Sequence, residues 1–296
     1  MNSVSRIAKN TSVSFISQII TRLLGFFFIM YTVRYLGAKN FGILSFAIAF
    51  TNMFGIFTDF GLGQLVTRET ARDRSVTTKY IGNIIVLKAL FALLTFIVIV
   101  LLVNFFKSTD ETRNVVYIIA LSVICNSFVQ ILYAVFQGYE KVEYISAGNI
   151  LNSAMLFISA LIAINKGFSV TGFACLYLIS SGTLLSYCLI VSCWKFVKPK
   201  LEFDKQFCCF ILKEAVPFGL IGFFGILFHW IDSVMLSLLK GDEAVGLYNA
   251  AYRLLMVIVL MPSTFDVAIF PVMSRLYVSS QASLEIIYER YFTRQS

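Results

Sequence analysis

Long apolar runs alternate with short polar segments along the whole chain. Eight of these runs reach the length of about 20 residues that an α-helix needs to cross the core of a bilayer. The predicted spanning helices are about 12–33, 41–62, 81–106, 115–138, 146–165, 171–194, 214–239 and 244–273. Helices are required because the bilayer core offers no water to an open backbone, and the ten-residue alternation of a membrane β-barrel is absent. The pattern predicts an all-α, polytopic membrane protein.

A pair of glycines five positions apart occurs twice, each time between two apolar runs. The first pair is Gly37 and Gly42, and the second pair, 204 residues later, is Gly241 and Gly246. An internal repeat in a membrane chain predicts two similar lobes with a substrate path between them. Each pair precedes a helix that runs in the same direction, so the repeats are expected to be parallel rather than inverted.

The spacing of the repeat also predicts the domain organisation. Residues 1–204 are expected to form a complete six-helix lobe. Residues 205–296 are expected to supply the first two helices of a second lobe, followed by an amphipathic tail on the cytoplasmic surface. We therefore expect the chain to be a fragment, a truncated gene product or one part of a split transporter.

Composition and charge fix the environment of the chain. Apolar residues are 58% of the sequence and charged residues 14%, which indicates that lipid is the main solvent. The net charge of +8 does not indicate nucleic-acid binding, because most basic residues lie in short loops. With the N-terminus inside, cytoplasmic segments carry 15 Lys and Arg and the opposite side carries 6. This bias predicts a cytoplasmic (inner) membrane protein with a cytoplasmic N-terminus, and membrane lipids as its surroundings.

The sequence gives no sign of catalysis. The six cysteines show no metal-ligand spacing, and no glycine-rich phosphate loop is present. The longest loop, about 195–213, is too short for an extramembrane domain. We expect no catalytic residue, no metal and no cofactor, and hence a protein that is not an enzyme.

Cationic side chains inside the apolar runs are candidate substrate ligands, because a charge in the bilayer core is costly and needs a reason. Gln18 and Arg22 share one face of the first helix, and Arg253 lies within the eighth. Lys88 lies about two turns into the third helix, where its long stem has the alternative of snorkelling to the surface. The alternative for the others is a structural polar contact.

A polar stripe without charge follows one face of the fourth helix. Its residues, spaced by three and four, are Ser122, Asn126, Gln130, Tyr133 and Gln137. Amides and a phenol both donate and accept hydrogen bonds, which suits sugar hydroxyls. We predict Asn126 and Gln130 as substrate-binding residues. Hydrogen bonding between helices is the alternative explanation.

Four further polar residues are candidates for ion coupling or gating. Asp59 lies at the end of the second predicted span. His229 and Asp232 are three apart on the seventh, so a pair that carries protons is one interpretation and a simple structural pair the other. Asp266 lies between Pro262 and Pro271, which are expected to bend the eighth helix.

Several short motifs, in their order along the chain, resemble one transporter family. They are Arg34-Tyr-Leu-Gly37, Phe41-Gly42 at the start of a helix, Thr58-Asp-Phe-Gly-Leu62, Gly246-Leu-Tyr-Asn-Ala-Ala-Tyr-Arg253 and Phe270-Pro-Val-Met-Ser-Arg275. The chain resembles the Wzx-type oligosaccharide-lipid flippases, which form the polysaccharide-export branch of the multidrug/oligosaccharidyl-lipid/polysaccharide (MOP) superfamily.

The resemblance implies two six-helix lobes around a central cavity that opens to either membrane face in turn. It implies a polyprenyl-pyrophosphate-linked oligosaccharide as cargo, destined for surface polysaccharide such as O-antigen, with other polysaccharide-assembly proteins as partners. Arg22, Arg253 and Lys88 would then attract the anionic pyrophosphate.

Three other functions stay open. A drug or cation extruder of the same fold is expected to have a cavity dominated by acids and aromatics, whereas the deep charges of the first lobe are basic. A membrane enzyme of the same pathway, such as a polymerase or glycosyltransferase, would need a large loop or paired carboxylates. A non-transporting truncated product is the third alternative.

Overall fold

Nearly all of the described chain is α-helical. The structure is a computed structural model, and it describes residues 3–106, 109–197 and 204–252. Its helices are α1 (Ser3–Asp59), α2 (Leu62–Arg72), α3 (Thr77–Phe106), α4 (Asp110–Gly138), α5 (Val142–Asn165), α6 (Val170–Lys195) and α7 (Lys205–Lys240). A short 3-10 turn, Arg74–Val76, joins α2 to α3. Residues 242–252 are also helical.

Six of the described helices are long and apolar enough to cross a membrane. α1 contains the first two predicted spans, which meet at Gly37, where φ of 72° and ψ of 173° break the helical geometry. Only a residue without a Cβ adopts such a φ freely. The other five correspond to the third to seventh predicted spans. The all-α, polytopic membrane fold is therefore confirmed.

Part of the predicted second lobe lies outside the described residues. The eighth predicted span, 244–273, overlaps the helical residues 242–252, and the amphipathic tail lies wholly beyond them. The helices up to Ala250 pack into one compact unit. The division into lobes at residue 204 stays a prediction.

The sequence pattern missed α2, an 11-residue helix. α1 ends at Asp59 because Phe60 and Gly61 leave the right-handed helical region, with φ of 39° and 83°. The chain then resumes as α2, which buries Leu62 and Leu65 and is too short to span a bilayer. A search for runs of 20 residues therefore could not find it.

Two apolar clusters hold the helices together, one near each end of the bundle. The cluster near Gly42 includes Phe46, Ile99, Val116 and Phe173. The cluster near Gly61 includes Leu65, Ile84, Phe136 and Ile211. We call these two ends of the molecule the Gly42 end and the Gly61 end.

The two repeated glycine motifs meet at the Gly42 end. A Cβ added to Gly42 would lie 1.7 Å from the carbonyl oxygen of Asp242, and one added to Gly246 would lie 2.0 Å from that of Ala38. Ala38 and Asp242 are themselves 204 residues apart, like the two glycines. The contact is therefore reciprocal between equivalent positions, as in an interface with two-fold symmetry.

Replacing Gly42 with Ala is expected to destabilise the protein, because the new methyl group would overlap the backbone of Asp242. Overpacking of this kind costs about 1–3 kcal/mol, so we expect the thermal unfolding midpoint in detergent to fall by several degrees.

Gly182→Ala in α6 is the matched control, because a Cβ there would meet no atom within 4 Å. That change is expected to leave the midpoint unchanged or to raise it, since alanine favours helix. Equal midpoints for the two variants would contradict the close contact at Gly42.

Candidate functional site

A cavity of about 450 Å³ lies beside the second half of α1, and α2, α4 and α7 complete its wall. The polar residues on the wall are Asn52, Thr58, Asp59, Gln64, Thr67, Asn126, Ser127, Gln130, Tyr133 and Gln137. The rest of the wall is glycine or apolar, including Gly222 and Ile226 of α7. Among the residues that the structure describes, Asp59 is the one charged residue on this wall, and the other polar groups are amides and hydroxyls set in a largely apolar surface.

α4 contributes the polar stripe that the sequence spacing indicated. Asn126, Gln130, Tyr133 and Gln137 all lie on the cavity wall. The Tyr133 hydroxyl donates to the Asn149 side-chain oxygen over 3.2 Å, which ties α4 to α5. Gln130 and Gln137 are exposed, and within the described chain their amides make no hydrogen bond. Both amides are therefore free to bind a ligand.

Asp59 and Lys88 form an ion pair at the Gly61 end of this cavity. The Lys88 ammonium donates to one carboxylate oxygen of Asp59, and the backbone N–H of Gly63 donates to the other over 3.3 Å. The Lys88 side chain is wholly buried, whereas 25% of the Asp59 side chain is exposed. Lys88 therefore does not snorkel to the surface, and it stands behind Asp59 rather than on the cavity wall.

This pairing joins two residues to which the sequence assigned different roles. Lys88 was a candidate substrate ligand and Asp59 a candidate for ion coupling or gating. Their side chains come from α3 and the end of α1, 29 residues apart. Removing one partner of a buried pair leaves an uncompensated charge, so the pair constrains both helices.

A second ionic contact fixes α2 against α7. The Arg68 guanidinium donates to Glu214 over 2.8 Å and to Glu69 over 2.7 Å. These hydrogen bonds, first that to Glu214, raise the pKa of Arg68 above its usual value. Nearby, a Cβ on Gly61 would lie 2.6 Å from the Ala215 carbonyl oxygen, so the two backbones are in close contact.

Several predicted residues lie away from the cavity. Gln18 and Arg22 are exposed on the first half of α1, and neither lines the cavity. Arg253 and Asp266 lie outside the described residues. The substrate role predicted for Gln18, Arg22 and Arg253, like that of Asn126 and Gln130, stays a prediction, as does the ion-coupling or gating role predicted for Asp266.

The seventh helix shows a different pairing from the one its spacing suggested. Asp232 accepts hydrogen bonds from the Tyr248 hydroxyl and from the backbone N–H of Ser233. His229 is exposed and packs edge-on against the ring of Trp230, with 4.9 Å between the ring centroids. The polar partner of Asp232 in the described chain is therefore Tyr248, on the helix that follows.

The sequence reasoning missed Gln64 and Thr67, which reach the cavity from α2. A signal was present, since Leu62, Leu65 and Val66 recur at helical spacing and leave these polar residues on the opposite face. The second predicted span ends at residue 62 and the segment after it is predicted to be a cytoplasmic loop, so its helical polar face yields no candidate.

Replacing Asp59 is expected to destabilise the protein more than replacing Lys88 does. Asp59→Asn would leave the wholly buried Lys88 without a partner, a loss that costs about 3–5 kcal/mol. Lys88→Met would leave Asp59 partly exposed to the cavity and bonded to Gly63, so its cost is expected to be smaller. Thermal unfolding in detergent would measure both.

The double variant provides the control for this prediction. Asp59→Asn combined with Lys88→Met removes both charges, and it is expected to be more stable than Asp59→Asn alone. Equal losses for the two single variants, or additive losses in the double variant, would contradict the ion pair.

Comparison with known proteins identifies the family. The sequence model of the family described as "Polysaccharide biosynthesis protein" matches residues 7–277. A search of curated proteins finds no match. The match spans most of the chain, and it confirms the resemblance to polysaccharide-export proteins at the level of the family.

Solved structures show the same fold. The chain is similar to the MATE multidrug transporter DinF-BH in complex with R6G, at 15% identity and a TM-score of 0.69 over 95% of this chain and 67% of that one. It is also similar to an inward-facing MATE family transporter of the MOP superfamily, at 17% identity and 0.64 over 92% and 68%. A MOP superfamily transporter from Pyrococcus furiosus matches at 16% identity and 0.60 over 94% and 65%.

The chain thus spans about two thirds of the length of each of these transporters. At such low identity the likeness establishes the fold and not the cargo. This chain is therefore a multi-pass membrane protein with the fold of the MOP superfamily transporters, and it belongs to the polysaccharide biosynthesis protein family.

Proposed function

We propose that the protein is a flippase, which moves a polyprenyl-pyrophosphate-linked oligosaccharide across the cytoplasmic membrane for surface polysaccharide synthesis. The observation that carries this proposal is the open cavity between α1, α2, α4 and α7, whose polar groups are mainly amides and hydroxyls. Its volume of about 450 Å³ falls within the range of about 300–1,000 Å³ found for small-molecule sites.

The cavity wall matches the chemistry of sugar. Sugar hydroxyls donate and accept hydrogen bonds, and so do the amides of Gln130 and Gln137 and the phenol of Tyr133. Lys88 neutralises Asp59, so the described residues give the wall no net formal charge. A neutral polyol gains hydrogen bonds in such a site without an electrostatic penalty.

Orientation supports loading from the cytoplasm. The excess of Lys and Arg in alternate loops favours a cytoplasmic N-terminus, and it places the Gly61 end of the bundle on the cytoplasmic side. Asp59 and Gln137, which line the cavity, lie near that end of their helices. The close contact between Gly42 and Gly246 lies at the opposite end.

The exposed polar face of α1 supplies a second element of the proposal. Gln18 and Arg22 lie within a helix that is apolar enough to span the membrane. A cation at such a position needs a polar partner. We propose that the anionic pyrophosphate of the cargo is the partner of Arg22, and that Arg253 of the eighth predicted span binds the same pyrophosphate.

A drug or cation extruder of the same fold is the second candidate, since the fold is shared with the MATE transporter described in complex with R6G. The pairing of Asp59 with Lys88 argues against it, because the one carboxylate that the described part of the chain places on the cavity wall is already neutralised. An enzyme of the same pathway is disfavoured by the transporter fold.

Replacing Gln130 with Leu is expected to reduce surface polysaccharide at least tenfold, because it removes a free amide from the cavity wall. The assay is complementation in a strain that lacks its own flippase, with the amount of folded protein measured by size-exclusion chromatography. Lipid-linked oligosaccharide of unchanged composition should accumulate on the cytoplasmic face, whereas loss of a glycosyltransferase would shorten it and loss of a polymerase would leave it on the outer face.

Asn165→Leu, the same exchange of amide for leucine at an exposed site at the far end of α5, is the matched control. It is expected to support normal polysaccharide output. Normal output from the Gln130 variant, at an equal amount of folded protein, would refute the role of the cavity.

Replacing Arg22 with Ala is expected to stop surface polysaccharide without lowering the amount of folded protein, because Arg22 is exposed and the described chain gives it no ionic partner. Arg22→Lys keeps the charge and should retain part of the output. If the Ala variant gives normal output, Arg22 does not bind the cargo.

A further inference from the structure

Charge on the cavity wall is controlled by a residue that the cavity does not contain. Within residues 3–106, 109–197 and 204–252, Asp59 is the one charged lining residue, and its partner Lys88 is buried behind it on α3. The cavity therefore meets a carboxylate whose charge is already compensated from inside the protein. Without Lys88, the same wall would carry one net negative charge.

The position of Lys88 makes it a fixed counter-charge rather than an exchangeable one. None of its side-chain surface is exposed, and its neighbours along α3 include the buried Leu87. Solvent and cargo therefore cannot reach the ammonium except through Asp59. A soluble cation could leave the carboxylate, but Lys88 is covalently held beside it.

A second hydrogen bond would keep the Asp59 carboxylate oriented in the absence of Lys88. Its second carboxylate oxygen accepts a hydrogen bond from the backbone N–H of Gly63, at the start of α2. This hydrogen bond joins the last residue of α1 to the start of α2 and does not involve α3. A change at position 88 therefore leaves an oriented carboxylate on the cavity wall.

We propose that Lys88 determines the charge specificity of this cavity. It forms an ion pair with Asp59 from the side away from the cavity, and it thereby excludes organic cations from a site that would otherwise bind them. The inference deepens the proposed function and rests on the same cavity. In a site of low dielectric, one unpaired carboxylate attracts a cation strongly, whereas an ion pair acts on it only as a short dipole.

Whether the Asp59 carboxylate is paired or unpaired also decides which of two classes of cargo the cavity binds. With the pair intact, amides such as Gln130 act on a neutral wall, and a sugar can displace water without competing with a cation. With the carboxylate unpaired, the same amides would surround a bound ammonium group. One residue outside the wall thereby decides between a sugar site and a cation site.

Binding of ethidium, a permanently charged fluorescent cation, tests this proposal directly. The purified protein and its Lys88→Met variant would be titrated in detergent at low salt, with fluorescence anisotropy as the readout. We expect the variant to bind ethidium at least tenfold more tightly than the unaltered protein. Added salt should weaken that binding, because the attraction is electrostatic.

Two control variants isolate the charge from the change of shape. Lys88→Arg keeps the positive charge and is expected to bind ethidium as weakly as the unaltered protein. The double variant Lys88→Met with Asp59→Asn removes both charges and should also bind it weakly. Tight binding by the double variant would assign the effect to altered packing and overturn the proposal.

A further variant keeps the proposal testable if Lys88→Met does not fold. Gln130→Glu adds an unpaired carboxylate to the cavity wall and leaves the Lys88–Asp59 pair intact. It is expected to bind ethidium at least tenfold more tightly than the unaltered protein. Binding no tighter than that of the unaltered protein, in whichever of the two variants folds, would overturn the proposal.

Ethidium binding does not depend on what the natural cargo is. If the dye binds as expected while the unaltered protein does not restore polysaccharide output in the strain that lacks its own flippase, the charge specificity holds and the flippase proposal fails. If polysaccharide output depends on Gln130 while the dye binds none of the variants, the flippase proposal holds and the role of Lys88 fails.

Discussion

The candidate site depends on one interaction, the ion pair between the buried Lys88 and the partly exposed Asp59. It connects α3 to the last residue of α1, and the Gly63 N–H connects the same carboxylate to the start of α2. Two elements of the cavity wall, α1 and α2, are thereby fixed relative to each other and to α3. The pair also compensates the one charge that the described residues place on the wall, whose other polar groups are amides and hydroxyls.

Glycines set the position of the remaining wall. At the Gly61 end, Gly61 brings its backbone against Ala215 of α7, and at the Gly42 end, Gly42 meets Gly246. Close approach of this kind is possible only where no side chain separates the backbones, and it is a common basis of helix packing in membranes. The contact at Gly61 positions α7, and the contact at Gly42 positions the helix that follows α7. Gly222 and Ile226 of α7 then form the last part of the cavity wall.

Local periodicity was enough to predict the helical fold and the polar face of α4, because both follow from spacing within one segment. The pairing of Lys88 with Asp59 could not be predicted, since it depends on how far two helices are rotated and shifted against each other. Gln64 was missed because α2 is too short to produce a spanning signal. The repeated glycines did predict equivalent positions, but no sequence pattern indicates that Gly42 and Gly246 are in contact with each other.

Photocrosslinking from the cavity wall tests most directly whether cargo enters this site. A photoreactive amino acid would replace Gln130, and, as the comparison, Thr183, an exposed residue of α6 that does not line the cavity. Membranes that contain radiolabelled lipid-linked oligosaccharide would then be irradiated. We expect radiolabel on the protein that carries the probe at position 130 and little on the protein that carries it at position 183. Equal labelling at both positions, or none at 130, would contradict this expectation.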